Sequence, residues 1–421
     1  MIRAYTLAIH SYAFVVRCLS VVHPKARKMC AGQRDTFRLL SEGIDRNAPW
    51  IWFHASSLGE FEQGRPLMEK IKSRHPHGKL LLTFFSPSGY EVRRDYPGAD
   101  LVCYLPFDTP RRVKKFLDLA NPRLAVFIKY EFWANYLLEL KSRAIPTYSV
   151  SSVFRSGQLF FRCYGRPYLR LLECFDHLFV QDESSASLLG RYGIRRVSVS
   201  GDTRFDRVLQ VRSEARRLPL VEAFVKNAPG GKRPILVAGS TWLRDESLLL
   251  PYFNQHPDLR LIIAPHEINS RRLREIRSRL LRPVALLSEA EAGSITRCDC
   301  LIVDSFGLLS CIYRYADMAY VGGGFGKGIH NLLEAAVYGI PVLFGPVHRK
   351  FKEAQSLIAL GGGFSIPDFP SLSRRIDRWL ERPDLRTLAG EAAGEFVKTQ
   401  AGATETVLKH LTPRINNRIS D

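Results

Sequence analysis

Runs of apolar residues alternate with amphipathic segments along most of the chain. In the first half, the runs are Trp50–His54, Leu80–Phe84, Leu101–Tyr104, Leu124–Ile128, Thr147–Ser151, Leu178–Val180 and Val197–Ser200. Segments with helical spacing separate them, such as Phe61–Arg74 and Pro110–Leu119. In the second half, the runs are Ile235–Ala238, Leu261–Ala264, Val284–Leu287, Cys300–Val303, Met318–Val321 and Val342–Phe344. Because strands buried on both faces are apolar throughout, this alternation predicts parallel sheets covered by helices on both sides.

Two domains are expected, since 421 residues exceed one typical domain. The interval from Phe205 to Arg233 has no strand pattern and ends in a segment rich in Pro and Gly, which is typical of a linker. The predicted divisions are an N-terminal helix at 1–30, a first domain at 31–205, a linker at 206–233, a second domain at 234–400 and a tail at 401–421. We therefore predict an α/β fold with two doubly wound, Rossmann-like domains that face each other across a cleft. Ligands bind such sheets at the carboxyl ends of the strands, so residues just after strands are the functional candidates.

The net charge of +20 and the pI near 9.8 indicate a polyanionic neighbour. Nucleic acid, an anionic membrane surface and phosphorylated substrates all meet that description. The eight cysteines lack the spacing of zinc ligands, which favours reduced thiols. No Asp-x-Asp cluster or Walker-type loop is present, so we predict no metal site.

The first residues predict a membrane-associated helix. Ile2 to Val22 is largely apolar but is interrupted by Arg3, His10 and Arg17, and a basic segment follows at 24–28. A spanning helix needs about 20 apolar residues with few charges, so this segment is a poor span. It also lacks the cleavage site of a signal peptide. A helix lying on the cytoplasmic side of a membrane fits better, and an ordinary helix packed on the domain is the alternative.

A glycine-rich loop is the most informative motif. Gly322-Gly-Gly-Phe-Gly-Lys-Gly-Ile-His-Asn-Leu-Leu-Glu334 follows the strand Met318–Val321 and precedes another strand. A glycine loop that leads into a helix presents unpaired backbone N–H groups, which suit a phosphate. Glu334 lies about one turn after Asn331, where a carboxylate suits sugar hydroxyls. The motif predicts a nucleotide site, and a glycine-rich turn without a ligand is the alternative.

Charged residues follow several other predicted strands. Glu60 comes after Trp50–His54 in the motif Ala55-Ser-Ser-Leu-Gly-Glu60. We interpret it either as a general base or as a helix cap. Glu131 follows Leu124–Ile128 and is expected either to pair with a basic group across the cleft or to be a helix-start carboxylate. Arg204 follows Val197–Ser200 and suits an anionic substrate group, while His266 follows Leu261–Ala264.

The interval from Leu140 to Leu172 interleaves basic and aromatic residues without an acid. It predicts a surface for nucleic acid or for lipid, and core aromatics with a solvated basic face are the alternative. The basic and aromatic members are Lys141, Arg143, Arg155, Arg162, Arg166 and Arg170 with Phe154, Phe160, Phe161, Tyr164 and Tyr168.

These motifs together resemble the 3-deoxy-D-manno-octulosonic acid (Kdo) transferases of lipopolysaccharide assembly. Those enzymes are inverting glycosyltransferases of the GT-B fold that use CMP-Kdo. The resemblance covers nearly the whole chain and rests on four motifs in family order: Phe53-His-Ala-Ser-Ser-Leu-Gly-Glu60, Glu131-Phe-Trp-Ala-Asn135, Gly201-Asp-Thr-Arg-Phe-Asp206 and Gly328-Ile-His-Asn-Leu-Leu-Glu334.

The resemblance implies roles for particular residues. Glu60 takes the position of the base that deprotonates the 6′-hydroxyl of the acceptor glucosamine, and Glu131 and Arg204 take the positions that stabilise the transition state. Lysine is the familiar residue at the position of Arg204, and arginine changes the hydrogen-bond geometry. The CMP-binding positions fall on Pro265, His266, Phe306, Gly307, Leu308, Asn331, Leu332, Leu333 and Glu334.

The resemblance implies Kdo transfer from CMP-Kdo to a lipid A precursor, without metal or cofactor, at the cytoplasmic face of the inner membrane. The expected partners are CMP-Kdo, the lipid A precursor and an anionic membrane surface, and not nucleic acid. The alternatives are another GT-B transferase or epimerase acting on a nucleotide sugar, and a basic nucleic-acid-binding protein.

Overall fold

The chain forms two α/β units. The computed structural model describes residues 2–162, 165–226 and 233–419. The first unit comprises Met1–Arg207 with Ala401–Asp421, and the second comprises Val208–Gln400. Within the described residues each unit contains a seven-stranded parallel sheet.

The first sheet has the strand order β3-β2-β1-β4-β5-β6-β7. Its strands are β1 (Trp50–Ala55), β2 (Lys79–Phe84), β3 (Leu101–Tyr104), β4 (Leu124–Ile128), β5 (Thr147–Ser152), β6 (His177–Val180) and β7 (Val197–Val199). The helices of this part of the chain are α1 (Ile2–Leu19), α2 (Pro24–Gly43), α3 (Leu58–Arg74), α4 (Pro87–Arg93), α5 (Pro110–Ala120), α6 (Ala134–Ser142), α7 (Arg166–Leu172), α8 (Glu183–Arg191) and α9 (Thr203–Glu214).

The second sheet has the strand order β10-β11-β9-β8-β12-β13-β14. Its strands are β8 (Ile235–Thr241), β9 (Arg260–Pro265), β10 (Val284–Leu286), β11 (Cys300–Ile302), β12 (Met318–Val321), β13 (Val342–Phe344) and β14 (Gly363–Ser365). The helices that follow α9 are α10 (Pro219–Lys226), α11 (Leu243–Gln255), α12 (Ser270–Ser278), α13 (Ala292–Ile295), α14 (Leu309–Ile312), α15 (Leu333–Ala336), α16 (Lys352–Ala359), α17 (Phe369–Glu381), α18 (Pro383–Thr399) and α19 (Ala403–Ile419).

Helices cover both faces of the first sheet, which explains why its strands are continuously apolar. Trp50 and Trp52 of β1 belong to the core on one face, whereas Ile51 and Phe53 belong to the core on the other. Successive side chains of a strand point to opposite faces, so a strand buried on both sides needs apolar residues at every position. The predicted doubly wound units are confirmed, and each strand named from the sequence is present.

The strand β14 was not predicted. Its sequence, Gly363-Phe-Ser365, has neither the length nor the β-branched residues that mark a strand, and it pairs with β13 at the sheet edge. Tertiary pairing, not local preference, makes this segment a strand.

The C-terminal segment returns to the first unit as the helix α19. Its apolar residues Val407, Leu408, Leu411 and Ile415 join the core that contains Phe61 of α3. Glu405 accepts hydrogen bonds from Lys70 and Arg74 of α3. The expected linker at 206–233 also contains structure, because α9 runs to Glu214 and α10 occupies Pro219–Lys226. Residues 227–232, where the linker signal is strongest, lie outside the described residues.

The N-terminal segment forms α1 and α2. Ala13 and Val16 of α1 are buried, whereas Leu7 and Phe14 are 69% and 67% exposed. Among the described residues, no single helix is long and apolar enough to cross a membrane. The pair α1 and α2 passes that test only when the two are taken together, and they are bent by 116° at the break.

The aromatic residues of the basic interval 140–172 that the structure describes do not form a surface stripe. Phe154 and Phe161 are buried in the core beneath the first sheet, and Phe160 and Tyr168 pack against it. Arg143 forms ion pairs with Asp118 and Glu139. Tyr164 lies outside the described residues, and the structure does not describe the side chain of Arg166. The core interpretation of these aromatics is therefore the correct one.

Candidate active site

Glu60 lies in the first turn of α3, just beyond the carboxyl end of β1. Its Oε2 accepts hydrogen bonds from the backbone N–H groups of Ser56, at 2.6 Å, and Ser57, at 3.2 Å. Together with Ser57 it forms a capping box, which satisfies N–H groups that a helix start leaves without partners. The cap uses one carboxylate oxygen, so the helix-cap and base interpretations are compatible.

Glu131 follows β4, the strand beside β1, and is only 8% exposed. Its Oε2 accepts hydrogen bonds from His54 Nε2, at 3.1 Å, and from Trp133 Nε1, at 2.7 Å. His54 belongs to β1 and is fully buried. The partner that the structure gives Glu131 is therefore a histidine from the neighbouring strand of the same unit, and the predicted pairing with a basic group across a cleft stays a prediction.

The two glutamates influence each other. Burial raises the pKa of Glu60, and the negative charge of Glu131 raises it further. His54, the Ser56 N–H and Lys129 act in the opposite direction. A carboxyl group whose pKa lies above its ordinary range is a stronger base than a solvent-exposed one, which is what proton abstraction from a hydroxyl requires.

Lys129 is a member of this site that the sequence did not single out. It stands between β4 and Glu131 with φ of 61°, a left-handed conformation that costs energy in a residue other than glycine. Its backbone is held on both sides, because its N–H donates to the Val150 carbonyl at 2.8 Å and its carbonyl accepts from Ser152 Oγ at 2.7 Å. The motif Lys129-Tyr-Glu131 carried no signal for this turn, since lysine rarely adopts it.

Arg204 lies at the start of α9 and is held by Asp202. Its Nε lies 2.8 Å from Asp202 Oδ2, and its backbone N–H donates to Oδ1 at 2.9 Å. Both Asp202 and Arg204 influence the pKa of Tyr130, which burial raises. The charge of the Arg204 guanidinium group is therefore partly balanced by Asp202.

A cavity of about 320 Å³ lies at the carboxyl ends of the strands of the second sheet. Five of the predicted donor-binding residues line it: Pro265, His266, Phe306, Gly307 and Glu334. Serine side chains that the prediction omitted also line it, at Ser240, Ser305 and Ser310. Ser240 belongs to the Gly239-Ser-Thr241 end of β8. The two neighbouring hydroxyl residues at a strand end are the sequence feature that could have indicated Ser240 as a binding residue.

The other four predicted donor-binding residues do not line this cavity. Leu332 and Leu333 are fully buried and pack into the interior, where an apolar side chain is expected. Asn331 contacts a residue that lines the cavity, because its Nδ2 donates a hydrogen bond to Glu334 Oε1 at 2.9 Å. Leu308 lies at the start of α14, where its carbonyl accepts from the backbone of Cys311 and Ile312.

Several N–H groups of the glycine loop are paired within the fold. Gly322 donates to the Gly239 carbonyl, Gly323 to Asp245 Oδ2, and His330 to the Gly322 carbonyl. The helix that follows, α15, has only four residues, so its dipole is weak. The glycines are instead required for close packing, since a Cβ on Gly324 would lie 2.6 Å from the Gly345 Cα.

Three aromatic rings support the mouth of the cavity. Trp242 Nε1 donates to His330 Nε2 at 3.0 Å, and the two rings are inclined by only 9°. His266 stacks on both, with ring centroids 4.5 Å away in each case. Burial, and then the proximity of His266, lower the pKa of His330, in agreement with its acceptor role. Trp242 and His330 thus fix the ring of His266, and sequence reasoning did not find this arrangement.

Comparison with known proteins gives a consistent result. Residues 31–207 match the family model described as 3-deoxy-D-manno-octulosonic-acid transferase (kdotransferase). A 3-deoxy-D-manno-octulosonic acid transferase of Aquifex aeolicus is 26% identical over 339 residues, covering 78% of this chain and 86% of the relative. A transferase with the same description from Bordetella pertussis is 27% identical over 387 residues, covering 86% of each chain.

Solved structures support the fold. The UDP-GlcNAc 2-epimerase of Neisseria meningitidis, bound to UDP-GlcNAc, superposes with a TM-score of 0.61 and covers 86% of this chain and 100% of its own. At 13% identity this likeness concerns the fold alone. With two doubly wound parallel sheets in the described residues, the fold is of the GT-B class.

The family match lies on the unit that holds Glu60 and Glu131, and the relatives extend the similarity across the second unit. The chain is thus similar to 3-deoxy-D-manno-octulosonic acid transferases through the family model in its first unit and through relatives that extend over both units.

Proposed function

We propose that this protein transfers Kdo from CMP-Kdo to the 6′-hydroxyl of a lipid A precursor of the lipid IVA type. The observation that carries the proposal is the carboxylate pair of Glu60 and Glu131, in the part of the chain that matches the family model. The similarity to Kdo transferases supports the choice of donor sugar, and the pair supplies a base whose pKa is raised.

Glu60 is the base of the proposed reaction. Its Oε2 is occupied by the Ser56 and Ser57 N–H groups, so Oε1 is the oxygen available to accept a proton. As the acceptor hydroxyl loses its proton to Glu60, the hydroxyl oxygen forms a bond to the anomeric carbon of Kdo. The bond from that carbon to the CMP phosphate breaks, and its electron pair leaves with CMP. Attack from the side opposite the leaving group inverts the anomeric configuration.

The second unit binds the donor in this proposal. His266 and the hydroxyls of Ser240, Ser305 and Ser310 offer polar contacts around the cavity, and Phe306 is a 77% exposed ring for the base or sugar. Glu334, oriented by Asn331, suits sugar hydroxyls. We propose that the leaving phosphate is stabilised by these groups without a metal or another cofactor.

The proposed location is the cytoplasmic face of the inner membrane. The exposed apolar residues of α1, together with the net charge of +20, fit a helix that lies on an anionic surface. An acylated, phosphorylated acceptor resides in such a surface. The same apolar and positively charged surface of the protein would therefore serve both membrane attachment and access to the acceptor.

The test is mass spectrometry of a tetraacylated lipid A precursor after incubation with the protein, Kdo, CTP and a CMP-Kdo synthetase. We expect a mass gain of one or more Kdo units. A second reaction contains EDTA and purified, Mg²⁺-free CMP-Kdo in place of the synthetase and its substrates, and we expect it to give the same yield. No gain with a demonstrably active synthetase would contradict the proposal.

Glu60→Gln is the decisive variant. Glutamine keeps an acceptor oxygen for the capping box but cannot take up the proton. We expect wild-type stability and CMP affinity with transfer reduced at least about a thousandfold. Competition by UDP instead of CMP would favour the alternative of another nucleotide-sugar enzyme, and a salt-dependent nucleic-acid gel shift without vesicle binding would favour a nucleic-acid-binding protein.

A further inference from the structure

A second cavity of about 320 Å³ lies in the first unit, away from Glu60 and Glu131. It is lined by residues of α1, α2 and α5 and of the turns beside them: Arg17, Ser20, Cys30, Gln33, Arg34, Phe107 and Arg112. Three of these seven residues are arginines and none is acidic. The first 34 residues of the sequence already lacked acidic side chains, but only the fold brings Arg112 to them.

The three arginines have no carboxylate partner in the described part of the chain. Arg34 Nε reaches the Cys30 carbonyl at 3.4 Å, and Arg112 donates to Gln33 Oε1 at 3.3 Å. The remaining contact of Arg112 is with the ring of Phe107, 5.8 Å away. Burial, and then the charge of Arg17, lower the pKa of Arg112. Cations gathered without a counter-charge repel one another, so an anion between them would be stabilised.

Gln33 provides an independent sign of a missing ligand. The residue is only 2% exposed, and its Nε2 has no hydrogen-bond partner in the described part of the chain. The orientation of its amide is fixed, because Oε1 accepts from the Phe107 N–H at 3.2 Å. A buried donor without an acceptor costs free energy, which an oxygen atom in the cavity would recover.

We propose that this cavity binds the terminal phosphate group, a phosphomonoester, of a lipid. Arginine guanidinium groups match the oxygens of a phosphate in charge and in spacing. A lipid is favoured as the source because exposed apolar side chains lie within five residues of Arg17 along the chain. Leu19, Val21 and Val22 are 47%, 73% and 77% exposed. A phosphate held by the arginines would then have acyl chains beside these side chains. The proposal concerns binding only, so it stands or falls separately from the transfer reaction.

The test compares three variants of the full-length protein, each lowering the net charge by one. Arg112→Gln removes a cation of the cavity, and Gln33→Glu places a carboxylate where it can pair with Arg112. Arg111→Gln is the control, since Arg111 is the exposed neighbour of Arg112 on α5 and does not line the cavity. Flotation measures affinity for phosphatidylcholine vesicles containing phosphatidic acid, or phosphatidylglycerol at equal surface charge. Thermal unfolding with and without inorganic phosphate measures the free anion.

We expect Arg112→Gln and Gln33→Glu to bind phosphatidic acid vesicles about tenfold more weakly than Arg111→Gln. In buffer without phosphate both should unfold at a higher temperature than the wild type, because each relieves repulsion among the arginines. A purely structural role of Arg112 predicts the opposite shift. If inorganic phosphate stabilises the wild type but not Arg112→Gln, while the two vesicle types bind equally, the site takes free phosphate and the lipid assignment is wrong. If all three variants behave alike with both probes, the cavity is not a phosphate site.

Discussion

The imidazole of His54 lies against the carboxylate of Glu131, with Nε2 3.1 Å from Oε2, in the buried layer beneath the proposed base. A chain of donors leads to this contact. Trp52 Nε1 donates to Thr83 Oγ1 at 2.8 Å, and that hydroxyl lies 2.9 Å from His54 Nδ1. Nδ1 also lies 3.1 Å from the Thr83 carbonyl, and Nε2 faces a carboxylate oxygen, which only accepts hydrogen bonds. The arrangement holds Glu131 as an acceptor in one orientation.

Loss of the His54 donor should therefore impair transfer without unfolding the protein. His54→Gln keeps an N–H group near Glu131, whereas His54→Asn is too short to reach it. We expect kcat to fall about tenfold to a hundredfold in His54→Asn and less in His54→Gln, because hydrogen bonds to charged groups contribute about 1.5–3 kcal/mol. His177→Gln is the control, since His177 lies on the same sheet and bonds Ser198. Equal activity of all three variants would remove His54 from the mechanism.

The acid limb of the pH profile should report the coupling between the glutamates. Glu60 must be deprotonated to act as base, and both burial and the Glu131 charge raise its pKa. We expect kcat/KM of the wild type to fall as the pH drops through a value above the ordinary glutamate pKa of about 4.3. Glu131→Gln removes one raising influence, so the limb of its residual activity should move to lower pH. An unchanged limb, or one moved to higher pH, would contradict the coupling.

Donor affinity should depend on Glu334. This carboxylate lines the cavity of the second unit and is oriented by Asn331. We expect Glu334→Ala to bind CMP-Kdo about tenfold more weakly by calorimetry, through loss of a charged hydrogen-bonding group. Glu267→Ala is the matched control, because Glu267 is exposed, follows His266 and does not line the cavity. Unchanged affinity in Glu334→Ala would leave the glycine-rich motif with a structural role alone.

The glycine loop should be intolerant of a single methyl group for steric reasons. A Cβ on Gly324 would lie 2.6 Å from two backbone atoms of Gly345, so Gly324→Ala requires the backbone to move. We expect a loss of about 2–4 kcal/mol in the free energy of unfolding, measured in urea. Gly293→Ala provides the contrast, because a Cβ there has no neighbour within 4 Å. A Gly324→Ala protein as stable as that control would refute the packing explanation.

Membrane attachment should depend on the exposed apolar side chains of α1 and of the turn that follows it. Phe14 and Val22 are 67% and 77% exposed, and each side chain would enter the lipid interface. We expect Phe14→Ser with Val22→Ser to lower vesicle affinity at least about tenfold, since burying one such side chain contributes about 1.5–3 kcal/mol. Leu281→Ser controls for the loss of an exposed apolar group, because Leu281 is 82% exposed in the second unit. Cosedimentation with vesicles that is unaffected by the double substitution would move the attachment elsewhere.

Much of the candidate site was predictable because a parallel sheet places the ends of its strands at one edge. Glu60 and Glu131 follow neighbouring strands, and their position after apolar runs was visible in the sequence. His266, Phe306 and Glu334 follow three strands of the second sheet and meet at one cavity for the same reason. The roles of His54, Trp242 and His330 were not predictable, since each depends on which side chain faces it across the fold.

The sequence by itself determined the two doubly wound units and where their apolar strands lie along the chain, β14 excepted. Burial on both faces demands apolar residues at every strand position, and that demand is local, so it can be read without the fold. Only the tertiary structure decided which distant residues meet. It paired Gly363–Ser365 with β13, returned α19 to the first unit, and brought Arg112 to Arg17 and Gln33. Such contacts follow from the packing of whole elements against one another, and a local pattern of apolar and polar positions does not specify them.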